Sequence, residues 1–202
     1  MKNIVLTIGR EYGSGGRYIA QEVAKKLSIP FYDKNLITET YEKNNCNYSK
    51  LEQYDETKNN EILDYINMLS GSYNNTLSAD VYRNLVSNTI KELADSGSCV
   101  ILGRNSNNIL KNRKNVINIF IYSNNLEFKL ERKMKLENID RKEALKRLKA
   151  IDKKRKKYYE YVNDKAIWGH RKGYDYLIDS SILGIDGTID MIVELYKKLE
   201  KK

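Results

Sequence analysis

An α/β protein, with a five-stranded parallel sheet covered by helices on both faces, is the architecture this sequence predicts. Short apolar runs alternate with helix-period segments, and no hairpin signal joins any two of them. A glycine-rich turn connects the first apolar run to the first helical segment. The 202 residues are 41% hydrophobic and 31% charged with one proline, which suits one ordered domain with a sizeable core.

Ile4–Ile8 is a continuous apolar run ending at Gly9, the pattern of a strand buried on both faces. After the glycine turn, Ile19, Ala20, Val23, Ala24 and Leu27 repeat at helical spacing, and Pro30 stops the helix. Phe31-Tyr32-Asp33 reads as a second short strand, and Leu36 to Tyr41 begins another helix. From Asn44 to about Ser78 the pattern weakens into a partly helical, mobile insertion. Val81 to Leu93 is helical again, Ser96-Gly97-Ser98 breaks it, and Cys99–Leu102 is a third strand ending at Gly103. Val116–Tyr122 is the fourth and clearest strand. Two basic helices follow, Leu126–Glu137 and Asp140–Tyr161, the second opened by the capping-box spacing of Asp140 and Glu143. Tyr174–Ile178 is the fifth strand and Ile189–Leu199 the last helix.

Composition excludes several chemistries. Two cysteines, Cys46 and Cys99, and one histidine, His170, rule out a disulfide framework and a Cys/His zinc site, and disfavour histidine-based triads. No run of eighteen apolar residues occurs, and the apolar start is too short for a signal peptide, so a cytoplasmic protein is expected. The net charge of +9 is unevenly spread. Lys129–Lys157 holds fourteen Lys/Arg against five Asp/Glu, whereas Glu42–Asp80 holds three against seven. A basic segment of this kind closes over a polyphosphate or holds nucleic acid.

The informative motif is Arg10-Glu11-Tyr12-Gly13-Ser14-Gly15-Gly16-Arg17. It lies at a first strand-to-helix turn, beyond the carboxyl end of the strand, where parallel α/β sheets bind ligands. Glycines let backbone N–H groups converge there, and the helix adds its own N–H groups and positive dipole end. Gly13, Ser14, Gly15 and Gly16 are thus candidates to cradle a phosphate; a turn that needs glycine only for tight packing is the plainer alternative. The pattern departs from G-x-x-x-x-G-K-[ST]. Aligned without a gap on the helix, Gly16 stands at the lysine position and Arg17 at the hydroxyl position; aligned with Arg17 as the lysine, Tyr18 replaces the hydroxyl. Arg10 or Arg17 is left to supply the charge.

These residues resemble the cytidylate kinase-like family of P-loop nucleoside monophosphate kinases. The similarity runs through REYGSGGR (Arg10–Arg17), IPFYDK (Ile29–Lys34), VILGR (Val100–Arg104), VINIFIYS (Val116–Ser123), DKKRKKYY (Asp152–Tyr159) and YDYLIDSSILGID (Tyr174–Asp186). The resemblance implies a P-loop NTPase-type three-layer sandwich in one domain spanning 1–202. It also implies a helical acceptor-binding insertion at about 42–80 and a basic helical lid at about 129–165. It implies phosphoryl transfer from ATP, with Mg2+, to CMP or dCMP. By the same resemblance Arg17, Arg10 and Arg132 are catalytic candidates, and Asp33, Arg104, Asp152 and Arg155 hold the acceptor. Two departures stand out. Asn105 replaces the aspartate of a Gly-Arg-Asp element, and Leu148-Lys149 replace the first half of R-D-x-x-D-x-x-R. With no hydroxyl at the loop's usual metal position, magnesium needs another inner ligand or is held by phosphate oxygens and water alone. Ser180 and Ser181 resemble the family's loop near the adenine ring, or form a turn. Neither nucleic acid nor membrane is an expected partner. A phosphate-binding protein without turnover, a kinase of a non-nucleotide acceptor, and an RNA-binding protein remain the rival classes.

Overall fold

The structure is a computed structural model that describes residues 3–33, 79–163 and 167–201. The expected helix from Leu36 to Tyr41 lies outside these residues, as does the expected insertion except for its last two positions. Five strands form one sheet: β1 (Val5–Arg10), β2 (Phe31–Tyr32), β3 (Cys99–Leu102), β4 (Val116–Tyr122) and β5 (Tyr176–Asp179). The order is β2-β3-β1-β4-β5, and every pairing is parallel. β1 sits at the centre because Val5, Leu6 and Ile8 are fully buried, leaving nothing that an edge strand could show to water.

Alternation along the strands feeds two cores. Leu6, Ile8, Val100, Leu102, Ile119 and Ile121 face α1 (Gly16–Leu27) and the final helix. Val5, Cys99, Ile101 and Val116 face α2 (Ala79–Asp95) on the other side. The result is the expected three layers. α1 ends at Ser28, which takes a left-handed conformation (φ 54°) and donates its N–H to Lys25 O, two residues before Pro30. The short helix α3 (Ser106–Ile109) follows β3 and carries no periodic signal that could have announced it.

α4 (Leu126–Glu137) and α5 (Arg141–Val162) are the two basic helices. Asp140 caps α5, accepting the Glu143 N–H at 2.7 Å, but the Glu143 carboxylate pairs with Arg147 at 2.8 Å, so one half of the expected capping box forms. β5 begins two residues later than expected, because Arg171–Gly173 forms a 3-10 turn and Asp175 hydrogen-bonds Asn118 across the strand end. The last helix, α6 (Ser180–Glu200), starts nine residues earlier than expected. Gly184 (φ 67°) kinks it, and exposed Ile182 and Leu183 blur the apolar period over its first turns.

Candidate functional site

The connections leaving β1 and β3 run to opposite sides of the sheet, so the carboxyl ends of these neighbours form a crevice. The glycine turn rises from that edge. Glu11 N–H bonds Ile121 O at 3.0 Å, and the chain bends through Gly13 (φ 85°) and Gly15 (φ 81°), which no β-carbon-bearing residue adopts cheaply. Gly15 is the N-cap of α1, and no side chain caps the helix. Its first-turn N–H groups therefore suit an anion.

Packing also demands these glycines. A Cβ at Gly13 meets Lys129 Cβ at 2.8 Å, one at Gly15 collides with Ile185, and one at Gly16 meets Arg10 Cβ at 2.5 Å. The position that the ungapped alignment gives to a standard loop's lysine, Gly16, is thus closed to a side chain unless Arg10 shifts. Ser14 is fully buried with its hydroxyl turned inward, 2.9 Å from Glu11 O and 3.1 Å from Ile121 O. Ser180 Oγ lies 2.7 Å from Ser14 O and 3.1 Å from Tyr122 O. It ties the turn to the sheet.

α4 and α5 cover the turn. Tyr12 inserts its ring among Leu130, Ala144 and Leu148 and donates its phenol to Glu137 at 2.5 Å. Lys133 Nζ sits 4.0 Å over the ring. Burial pushes the Glu137 carboxyl up, but hydrogen bonds from Lys133, Tyr12 and Arg147 outweigh it and bring it to about 2. Asp152 accepts the Tyr12 N–H at 2.7 Å. Its burial prevails over that bond and over Arg155, raising its carboxyl to about 6. Arg132 lies beside Gly15, its Nε 3.4 Å from where a Cβ would stand, with its guanidinium 5.8 Å from the Tyr18 ring centroid. Burial lowers its affinity for the proton, and it has no carboxylate partner among the described residues.

A second cationic group lines a small cleft between the ends of β1 and β3. Arg10, Arg104 and Arg155 converge on it, walled by Tyr158, Trp168 and Tyr174. Arg104 is 3% exposed and left-handed (φ 54°), as is Asn105 (φ 58°). Two such residues in succession cost on the order of 1–3 kcal/mol each, strain of the kind that collects at binding sites. Arg155 donates to Arg10 O at 3.2 Å and reaches Asp152 at 3.4 Å. The Arg10 guanidinium runs over Gly103, whose left-handed backbone (φ 72°) favours glycine. Asn105 and Asn163 exchange amide hydrogen bonds at 2.9 and 2.6 Å, fastening the end of α5 beside the cleft. Phe120 braces the wall, packing on Trp168 at 5.2 Å and Tyr174 at 5.0 Å.

The sequence candidates thus divide. Gly13, Ser14, Gly15 and Gly16 form the turn with Arg132 above it; Arg10, Arg104 and Arg155 share the cleft; Asp152 joins turn to helix. Arg17 and Asp33 pair with each other at 2.7 Å, the arginine 66% exposed. Sequence reasoning missed Tyr12, Lys129 and Trp168, although a tyrosine inside a glycine turn was itself a signal of an anchor. Among the described residues no cluster of three His, Cys, Asp or Glu could hold a metal ion. Ser14, Glu11 and Asp179 are engaged with protein partners. No helix among the described residues is long and apolar enough to cross a membrane.

Known structures share this architecture. An uncharacterized protein from Eubacterium ventriosum is 28% identical over 95% of this chain and 97% of its own, with a TM-score of 0.70. Shikimate kinase from Acinetobacter baumannii, in complex with shikimate, covers 99% of this chain and 96% of its own at 16% identity and a TM-score of 0.50. Shikimate kinase from Bacteroides thetaiotaomicron covers 96% and 98% at 14% identity and a TM-score of 0.51. At these identities the shikimate kinases show a common fold, that of P-loop kinases. Comparison with curated proteins gave no match. The cytidylate kinase-like family matches residues 5–182, from the start of β1 to the first residues of α6, and the chain belongs to that family.

Proposed function

We propose that this protein is a nucleoside monophosphate kinase that moves the γ-phosphoryl group of ATP to a pyrimidine monophosphate, CMP or dCMP. The observation that carries the reading is a pair of cationic groups astride the end of β1. Arg132 stands over the glycine turn on the β4 side, and Arg10, Arg104 and Arg155 stand in the cleft on the β3 side. Phosphoryl transfer asks a protein mainly for two phosphates held in line, neutralised and kept from water. In this reading the N–H groups of the turn hold the donor and Arg132 neutralises the charge that builds during transfer. Arg104, Arg155 and Arg10 hold the acceptor phosphate, with Tyr158 and Trp168 beside the base. Arg17, drawn to Asp33, keeps the second strand near the turn. Residues 129–165 act as the lid and about 42–80 as the acceptor-binding insertion. Magnesium comes with ATP, carried by phosphate oxygens and water.

Turnover with ATP in a coupled assay over a panel of nucleoside monophosphates tests this, with CMP and dCMP expected to lead. A specific observation favours a second reading, a nucleotide-binding protein without turnover: the lysine position of the ungapped alignment, Gly16, is crowded by Arg10. That protein would be stabilised against heat by ATP yet transfer nothing to any acceptor in the panel.

A further inference from the structure

Three consecutive residues at the start of the glycine turn are each fastened to the helices above it. Arg10 O accepts from Arg155 of α5 at 3.2 Å, the Glu11 carboxylate meets Lys129 of α4 at 3.0 Å, and Tyr12 N–H reaches Asp152 of α5 at 2.7 Å. The Tyr12 side chain adds a fourth attachment, its ring in the α4–α5 core and its phenol on Glu137 at the far end of α4. The geometry points to Asp152 and Tyr12 as positioning residues that clamp the glycine turn to the α4–α5 pair, so that Asp152 shapes the donor site. This rests on the reading that the turn holds donor phosphate.

The chemistry favours that role. The Asp152 Oδ1 accepts both a loop N–H at 2.7 Å and the Arg155 guanidinium at 3.4 Å, so the carboxylate is fixed between the turn and its own helix. A carboxylate held this way sets where Gly13 begins and where the following N–H groups point. The charged groups facing it are Arg155 on its own helix, Lys129 on α4 and Glu11 in the turn. Burial outweighs the two cations and the N–H bond, so its proton is lost at about 6. The clamp is therefore strong above that pH and slackens below it. It also makes α4–α5 and the turn one unit: a shift of the helices carries the turn with it.

The full chain and its Asp152→Ala, Asp152→Asn and Tyr12→Phe variants, each checked for folding by an amide NMR spectrum, give the test. Calorimetry measures inorganic tripolyphosphate and CMP separately, and exchange of the Tyr12 amide is followed with no ligand present. Losing a charge-assisted hydrogen bond weakens tripolyphosphate binding about tenfold in Asp152→Ala. Asp152→Asn, which keeps an acceptor for the N–H, recovers most of the loss, and CMP affinity changes less than tripolyphosphate affinity in both, the residual change coming through Arg155. Tyr12 amide exchange accelerates in Asp152→Ala, and in the wild-type chain the Tyr12 amide signal titrates near pH 6. Tyr12→Phe keeps the ring packed, so it weakens tripolyphosphate less than Asp152→Ala does. Weaker CMP binding with tripolyphosphate unchanged, or a Tyr12 amide that exchanges at the same rate in Asp152→Ala, overturns the clamp. If the wild-type chain binds no tripolyphosphate, the donor-site reading fails by itself, and the Tyr12 amide alone decides the clamp.

Discussion

In the proposed function Arg132 and Arg104 carry the two halves of the site, with different local physics. Arg132 is a partly desolvated guanidinium without a carboxylate among the described residues, so its charge comes at some cost to the fold. Arg132→Gln should therefore leave the melting temperature unchanged or slightly higher, while kcat/KM falls about 100-fold or more, the scale of losing a group aimed at transition-state charge. Calorimetric Tm and initial-rate kinetics on one preparation check both. Arg104 is buried and left-handed. Lysine keeps its charge and backbone constraint but loses the planar fork, so Arg104→Lys should weaken CMP binding by about ten- to a hundredfold, read by titration calorimetry.

Within the turn and α1, the glycines separate charge from space. Installing the standard loop's lysine by Gly16→Lys should not create a better kinase. Gly16 is the first residue of α1, where a cation opposes the helix dipole, and a Cβ there is forced against Arg10, overpacking that costs about 1–3 kcal/mol. The expected result is a lower midpoint in urea unfolding and weaker ATP binding. Gly15→Ala meets both a φ of 81° and Ile185, and should be the more damaging of the two. The same crowding ties α6 to the turn: Ile185 lies one residue past the kink at Gly184, so the kink aims it at Gly15.

At the scale of the molecule, the turn and the basic helices are held by acids that titrate in opposite directions. Glu137 sits at about 2, below its ordinary 4.5, so its contribution to stability is complete above pH 4.5 and is lost as pH falls through 2. Asp152 sits at about 6, above its ordinary 3.8; its charged form is the disfavoured one, so the folded state gains stability as pH drops from above 6 toward 3.8. Thermal unfolding across pH, compared with Glu137→Gln and Asp152→Asn, should show these limbs separately. The glutamine variant flattens the acid limb, and the asparagine variant flattens the rise between pH 6 and 4.

The sequence by itself determined the sheet and its layers, because strands buried on both faces must be apolar and helices must show a 3.6-residue period. β3, β4 and α4 follow from those patterns to the residue. It also announced the glycine turn, since left-handed backbone and close approach leave few residue types. It could not show that Gly16 is closed by Arg10, that Arg17 turns to Asp33, or that Tyr12 is buried between two helices more than a hundred residues away. Those facts depend on which side chains meet across the sheet's carboxyl edge, and only tertiary packing decides that.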